Sequence, residues 1–231
     1  MLAALGWGAL AASSLIIGAV LALVHTWPDR AIGLVLQFGA GALISAVSFE
    51  LAAGGVDEAG GTGPVALGLA AGALVYFVLD RLIERRGGGG GLDLALGAFL
   101  DGIPEQLVLG IGLATGEGLS VALLVAIFVS NLPESIGSAS DMAAGRRSRG
   151  AIVRLWLVVA TVCLLATVAG YAIADAASGE LKGAIDGFAA GALLVMLADS
   201  MIPEARRKAG LAGGLVLALG FAVAAWLSSA S

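Results

Sequence analysis

Three acidic residues fall in the middle of long apolar stretches. Asp101 and Glu105 are four residues apart, so both lie on one face of a helix, and Glu134 occupies the middle of the next stretch. A charged side chain at that depth of a membrane costs about 3 kcal/mol and must face a cavity or a partner. The second stretch also carries a polar stripe at spacings of three, seven and ten residues, formed by Asn131, Glu134, Ser138 and Asp141.

A proline comes directly before each of the two glutamates. Pro104 and Pro133 remove the hydrogen bonds that would end on the carbonyls of Leu100 and Val129. Freed carbonyls, carboxylates and the Asn131 amide together form a hard, oxygen-rich ligand set. Because no basic residue is available at that depth, the carboxylates would largely protonate unless a cation is bound. We therefore predict a mid-membrane site for a divalent metal that exchanges with protons.

The elements that must position these residues are membrane-spanning helices. The 231 residues are 59% hydrophobic and only 13% charged, whereas about a quarter of the residues of a soluble domain are charged. No alternating barrel pattern occurs, so we expect an all-α, polytopic integral membrane protein with one transmembrane transporter domain over residues 1–231. Apolar runs of about 20 residues predict eight transmembrane helices, at residues 2–24, 31–53, 64–82, 92–113, 119–143, 151–175, 183–203 and 211–227.

The composition excludes several classes of protein. The single Cys163 cannot form an intrachain disulfide, and 12 scattered Lys and Arg residues are too few for a nucleic-acid-binding face. Residues 1–24 have no basic n-region and a longer apolar run than a signal peptide, so we expect them to form the first span. Neither the His-Glu-x-x-His nor the Gly-x-Gly-Asp sequence of intramembrane proteases occurs, so we expect no enzyme and no cofactor.

The basic residues predict the orientation in the membrane. Eleven of the 12 fall in one set of alternate loops, and the opposite loops contain only Lys182. The positive-inside rule places the first set in the cytoplasm and both termini outside, for a multi-pass protein of the cell (plasma) membrane. The eleven are Arg30, Arg81, Arg85, Arg86, Arg146, Arg147, Arg149, Arg154, Arg206, Arg207 and Lys208.

Two internal similarities indicate a repeat. The second span contains FGAGALI at residues 38–44, and the seventh contains FAAGALL at residues 188–194, which is 150 residues later. These spans are predicted to cross the membrane in opposite directions, as in the inverted repeats of secondary transporters. The fourth and fifth spans share DGIPE at residues 101–105 and SNLPE at residues 130–134. We therefore expect a 3+2+3 inverted-repeat architecture, although small-residue helices can also resemble each other by chance.

In these features the chain resembles the ZIP (Zrt/Irt-like protein) family of divalent-metal transporters. The family has eight spans, outside termini and two central helices that each carry a Pro-Glu motif. The sequence DSMIPEA at residues 199–205 is also similar to the family's seventh helix. The resemblance implies uptake of a divalent metal into the cytoplasm, with the metal as substrate. The implied metal-binding residues are Asp101, Glu105, Asn131 and Glu134 at the centre, with Glu50 and Asp199 at the outer and inner ends of the path.

Several positions depart from the family pattern. Asp101 stands where the family usually has His, and Glu50 stands where a second-helix His is frequent. Cys163 occupies a sixth-helix position where the family often has Glu, which leaves open whether there are one or two metal positions. Imidazole suits Zn²⁺, whereas an all-oxygen site discriminates less and would also suit Fe²⁺ or Mn²⁺.

Alternatives stay open at this point. The same scaffold could transport protons or a monovalent cation, since the His is lost, and a relative with impaired transport is also conceivable. Besides the metal ion, the expected partner is the lipid bilayer. The sequence leaves open the preferred metal, the coupling ion and whether the protein works as a homodimer.

Overall fold

The fold was analysed in a computed structural model. It describes the backbone of residues 1–86, 92–114, 121–176 and 178–230, and the side chains of these residues except 83, 84, 86, 92–101, 122, 175, 176 and 230. The described residues form an all-helical bundle. Its α-helices are α1 (Leu2–Val24), α2 (Asp29–Ala46), α3 (Gly54–Ala59), α4 (Thr62–Arg86), α5 (Leu92–Ala114), α6 (Val121–Ala144), α7 (Arg149–Ala176), α8 (Gly179–Met196), α9 (Ile202–Ala209) and α10 (Gly213–Ala230).

Two π-helical segments extend α2 and α8. Val47–Ala53 connects α2 to α3, and Leu197–Met201 connects α8 to α9, so each forms one long, nearly continuous helix. Each of these long helices stops at a glycine with positive φ, Gly60 at 64° and Gly210 at 71°. Glycine ends a helix in this way because it has no Cβ to oppose a left-handed backbone.

The geometry of the two long helices recurs at a spacing of 150 residues. The π segments begin at Val47 and Leu197, and the terminating glycines are Gly60 and Gly210. This is the spacing of the FGAGALI and FAAGALL sequences. The packing recurs too, because α2 packs against α10 and α8 packs against α4.

Glycines allow backbone contact in both of these helix pairs. A β-carbon added at Gly72 of α4 would overlap the carbonyl oxygen of Phe188 in α8, and one added at Gly220 of α10 would overlap the carbonyl oxygen of Phe38 in α2. Small residues at such crossings let membrane helices gain close van der Waals packing, which is the main source of helix association in lipid.

Contacts between the long helices define two ends of the bundle. Gly33, near the start of α2, packs against Lys208 and Ala209 at the end of α9. Gly179, at the start of α8, packs against Glu58 near the end of α3. The two long helices therefore run in opposite directions. We call the end that carries Arg30, Arg206, Arg207 and Lys208 the basic end, and the end that carries Asp57, Glu58, Glu180 and Lys182 the acidic end.

The helix lengths fit a membrane protein. Among the described residues, six helical segments are long and apolar enough to cross a membrane. The expected fourth span contributes only the shorter apolar helix Gly102–Ala114, and the expected seventh and eighth spans fall in one stretch, Gly179–Ser229. The number of eight spans therefore stays a prediction. The six segments are Leu2–Val24, Asp29–Ala59, Thr62–Leu82, Leu123–Ala144, Arg149–Ala174 and Gly179–Ser229.

The helices of the bundle differ in how much of their surface is buried. In an apolar 18-residue stretch of Asp29–Ala59, and likewise of Leu123–Ala144, 67% of the residues are buried. In the corresponding stretch of Thr62–Leu82, 22% are buried. Helices α2 and α6 therefore form the interior of the bundle, and α4 lies on its outside. Leu36 and Leu43 of α2 and Ile127 of α6 belong to one buried apolar cluster.

Candidate functional site

The candidate site is built on α5 and α6, which both continue through an internal proline. Pro104 lies inside α5 and Pro133 lies inside α6, as the sequence predicts. Each proline takes one amide out of the helix hydrogen-bond ladder. Backbone carbonyls freed in this way are tolerated at membrane depth where they are buried in protein or line a cavity.

On α5, two adjacent polar side chains point into the bundle. Glu105 is 1% exposed and Gln106 is fully buried. The Thr167 hydroxyl of α7 donates a hydrogen bond to Oε1 of Gln106, which joins the two helices at mid-length. Gln106 thereby helps to fix the rotation of α5 about its axis, and the rotation determines where Glu105 points.

On α6, the predicted polar stripe runs from the interior to the surface. Asn131 is 2% exposed, Glu134 is half-buried and Ser138 is 9% exposed, whereas Asp141 is exposed. Within the described part of the chain, Nδ2 of the buried Asn131 makes no hydrogen bond. A buried amide without a partner is costly, so this group is available to orient a ligand or a neighbouring carboxylate.

Glu105 and Glu134 both act electrostatically on one residue of α7. The thiol of Cys163 lies within electrostatic range of both carboxyl groups. It also faces α5 closely, because a β-carbon added at Gly102 would lie 2.6 Å from its sulfur atom. The two glutamates of the Pro-Glu helices therefore both influence the environment of this buried thiol.

The described side-chain groups that could bind a metal here are two carboxylates, one amide and one thiol. Asp101 belongs to α5, but its side chain lies outside the described residues. Among the residues that are described, no three His, Cys, Asp or Glu side chains are grouped closely enough to hold a metal ion. The predicted ligand set thus stays a prediction, in which Glu105 and Asn131 are buried and Glu134 is half-buried.

The residues predicted for the two ends of the path lie in the π-helical segments. Glu50 is half-buried in Val47–Ala53, and Asp199 is exposed in Leu197–Met201. Single π turns inside α-helices occur often at functional sites. The position of Asp199 at the surface suits a residue at the end of a path better than a ligand of the central site.

An ion pair lies at the basic end, next to the polar stripe of α6. Nζ of Lys208 is 2.7 Å from Oε1 of Glu204, and the Lys208 side chain is 13% exposed. A β-carbon added at Gly137 of α6 would lie 3.1 Å from this Nζ. Gly137 is three residues after Glu134, so the ammonium group of Lys208 lies about one helical turn from that glutamate along α6.

Sequence reasoning missed several polar residues of this region. Gln106, Ser135 and Thr167 are fully buried, and Ser135 donates to the carbonyl of Leu132 at 2.9 Å. The adjacency of Gln106 to Glu105 and the i, i+4 spacing of Glu204 and Lys208 were signals that could have pointed to two of the interactions. His25, the only histidine of the chain, is exposed and packs edge-on against Trp27.

The sequence is similar to zinc transporters of plants and animals. It is 30% identical over 191 residues to a protein named "Putative zinc transporter" in Arabidopsis thaliana, and the match covers 77% of this chain and 30% of the relative. It is 25% identical over 150 residues to zinc transporter SLC39A7 of Homo sapiens, covering 55% of this chain and 32% of the relative.

The mouse protein of the same name gives a similar result, with 26% identity over 143 residues that cover 56% of this chain and 30% of the relative. The match thus spans about a third of the length of these relatives. No protein-family model matches the sequence. The relatives are transporters and not enzymes, in agreement with the expectation that the chain has no enzymatic activity.

Proposed function

We propose that the chain is a ZIP-like transporter that moves divalent metal cations into the cytoplasm through a carboxylate site at mid-membrane. The observation that carries the proposal is that Glu105 and Glu134 each follow a helix-internal proline and that Glu105 is buried and Glu134 half-buried in the helix bundle. The relatives named zinc transporters support the substrate class.

The two helices of the site contribute acidic side chains and no basic ones. Neither α5 nor α6 contains a Lys or Arg residue. Two carboxylates brought together in a low-dielectric interior repel each other, so they either share a proton or bind a cation. A divalent cation neutralises both charges at once, and the Asn131 oxygen and the carbonyls freed by the prolines add neutral ligands.

The path that we propose follows the polar stripe of α6. The metal enters from the acidic end past Glu50 and binds Asp101, Glu105, Asn131 and Glu134. It leaves past Ser138 and Asp141 toward Asp199 and Glu204 at the basic end. The stripe begins at the buried Asn131 and ends at the exposed Asp141, which supports an opening of the path at the basic end.

We also propose that the chain has eight spans in a 3+2+3 inverted repeat. Three observations support this architecture: the two π segments 150 residues apart, the two terminating glycines at the same spacing, and the opposite directions of the long helices. The matching helix pairs α2 with α10 and α8 with α4 agree with it. Inverted repeats of this kind place substrate sites at the repeat interface.

The orientation follows from the positive-inside rule and can be tested by labelling. We expect Arg147→Cys to be modified in intact cells only by a membrane-permeant maleimide, and Lys182→Cys to be modified by an impermeant one. Cys163 is buried, so its background labelling is low. Modification of position 147 by the impermeant reagent would overturn the proposed topology, in which the basic end faces the cytoplasm.

Asp101 is proposed to shift the preference of the site away from zinc. It places a hard carboxylate one helical turn before Glu105, where the family usually has an imidazole. We expect Asp101→His to raise the ratio of Zn²⁺ to Mn²⁺ affinity, measured by competition in detergent solution. Asp101→Asn removes the charge without adding an imidazole and serves as the control. An unchanged ratio in Asp101→His would mean that Asp101 does not contact the metal.

Thermal stabilisation distinguishes this proposal from a proton or monovalent-cation transporter. A ligand at 100 times its dissociation constant stabilises the native state by about 2.7 kcal/mol. We expect Zn²⁺, Fe²⁺ or Mn²⁺ to raise the unfolding temperature of the purified protein, and Na⁺ or K⁺ at equal ionic strength to leave it unchanged. Stabilisation by a monovalent cation alone would favour a monovalent-cation transporter. The absence of the family's usual histidine at Asp101 is the observation that favours this second candidate.

A further inference from the structure

We propose that a groove on the outside of α7, close to its start, binds the headgroup of an anionic phospholipid. The groove has a volume of about 280 Å³ and lies between the end of α6 and the first turns of α7. It combines two guanidinium groups with an apolar wall. Its lining includes Met142, Arg147, Ile152, Arg154, Leu155 and Val158.

The two arginines are available to an anion. Both are exposed, and within the described part of the chain neither Arg147 nor Arg154 forms a salt bridge or a side-chain hydrogen bond. Guanidinium groups bind phosphate oxygens through two parallel hydrogen bonds. The start of α7 adds partial positive charge from its first amides.

The apolar wall continues into the part of α7 that faces lipid. Val158 is 53% exposed and Leu157 is 46% exposed, in a helix long and apolar enough to cross a membrane. Arg154 is four residues before Val158, which is one turn nearer the basic end. The guanidinium groups therefore lie at the depth of lipid phosphates, and the acyl chains of the same lipid would continue along Val158. Basic pockets of this kind bind anionic headgroups in other membrane proteins.

A second groove with arginines is a weaker candidate. It is lined by Phe77, Val78, Arg81, Leu82 and Arg85 and has a volume of about 390 Å³. However, the Arg81 guanidinium stacks 5.1 Å above the Phe77 ring and has a further partner of its own. The groove at Arg147 and Arg154 instead offers two guanidinium groups without partners in the described residues.

The test compares two double variants of the same charge. We expect native mass spectrometry of the purified full chain to show tighter binding of phosphatidylglycerol than of phosphatidylcholine. Because the groove would lose the charge-assisted hydrogen bonds of both guanidinium groups to the lipid phosphate, Arg147→Gln with Arg154→Gln should weaken phosphatidylglycerol binding at least about tenfold. Arg146 lies in the loop before α7 and Arg149 is the first residue of α7. Both are exposed but do not line the groove, so Arg146→Gln with Arg149→Gln should retain phosphatidylglycerol binding.

Three results would overturn the proposal. Equal losses in the two double variants would mean that general charge attracts the lipid without a defined site. Equal binding of phosphatidylcholine would mean that the headgroup charge is not recognised. Displacement of phosphatidylglycerol by millimolar inorganic phosphate would identify the groove as a site for free phosphate. Monodisperse elution of both variants checks that they fold, and the result does not depend on metal transport.

Discussion

Replacing Glu105 or Glu134 by glutamine is expected to abolish divalent-metal binding while the protein stays folded. Glutamine keeps the shape of the side chain but removes the charge that a divalent cation needs. Even changes outside the ligand set of a metal cost 10- to 100-fold in affinity, so we expect a loss of more than about 100-fold for each single variant. Isothermal titration calorimetry in detergent measures this loss directly.

The fold should tolerate the change because, in the proposed site, two like charges repel each other when no metal is bound. Replacing one of the two carboxylates by an amide relieves this repulsion and removes the cost of desolvating that charge. We therefore expect the metal-free unfolding temperature of Glu134→Gln to equal or exceed that of the parent. Asp141→Asn is the matched control, since Asp141 lies on the same stripe of α6 but is exposed. Parental metal affinity in either glutamine variant would exclude a shared site.

The second large effect is expected at a helix crossing far from the site. In Gly72→Ala, the added methyl group would overlap the carbonyl oxygen of Phe188, so α4 and α8 must move apart. Forcing extra volume into a close-packed interface typically costs 1–3 kcal/mol, and we expect a loss in about that range. The measurement is the unfolding temperature in detergent, at one fixed scan rate.

The control for this change is a glycine in open space. Gly6 lies in α1, and a β-carbon added there would have no heavy atom within 4 Å. Gly6→Ala should therefore leave the protein as stable as the parent or stabilise it by up to about 1 kcal/mol, because alanine is the better helix former. If both variants unfold at the same temperature, the close backbone contact between α4 and α8 is not a source of stability.

The parts of the site that follow from helical spacing could be predicted from the sequence. The spacing of Asn131, Glu134 and Ser138 predicts one face of a helix, and these side chains do lie on the buried or half-buried side of α6. The positions of Pro104 and Pro133 inside continuous helices were also foreseeable. These features depend on local geometry, which the order of residues along one helix determines.

The parts that depend on packing between helices could not be predicted. The bond from Thr167 to Gln106 and the proximity of Cys163 to both glutamates join residues about 30 to 60 positions apart. The π-helical segments at Val47–Ala53 and Leu197–Met201 contain no proline or glycine that would indicate a change of helix type. Such interactions depend on the rotation of each helix, which a single sequence does not reveal.

Metal flux across a membrane is the most direct measure of the proposed function. The purified chain is reconstituted in liposomes that contain a zinc-sensitive dye, and Zn²⁺ is added outside. We expect saturable dye signal with the parent protein, competition by Mn²⁺ or Fe²⁺, and no signal above that of empty liposomes with Glu105→Gln combined with Glu134→Gln. Flux that is equal in the parent and in this double variant would contradict the claim that the two glutamates form the transport site.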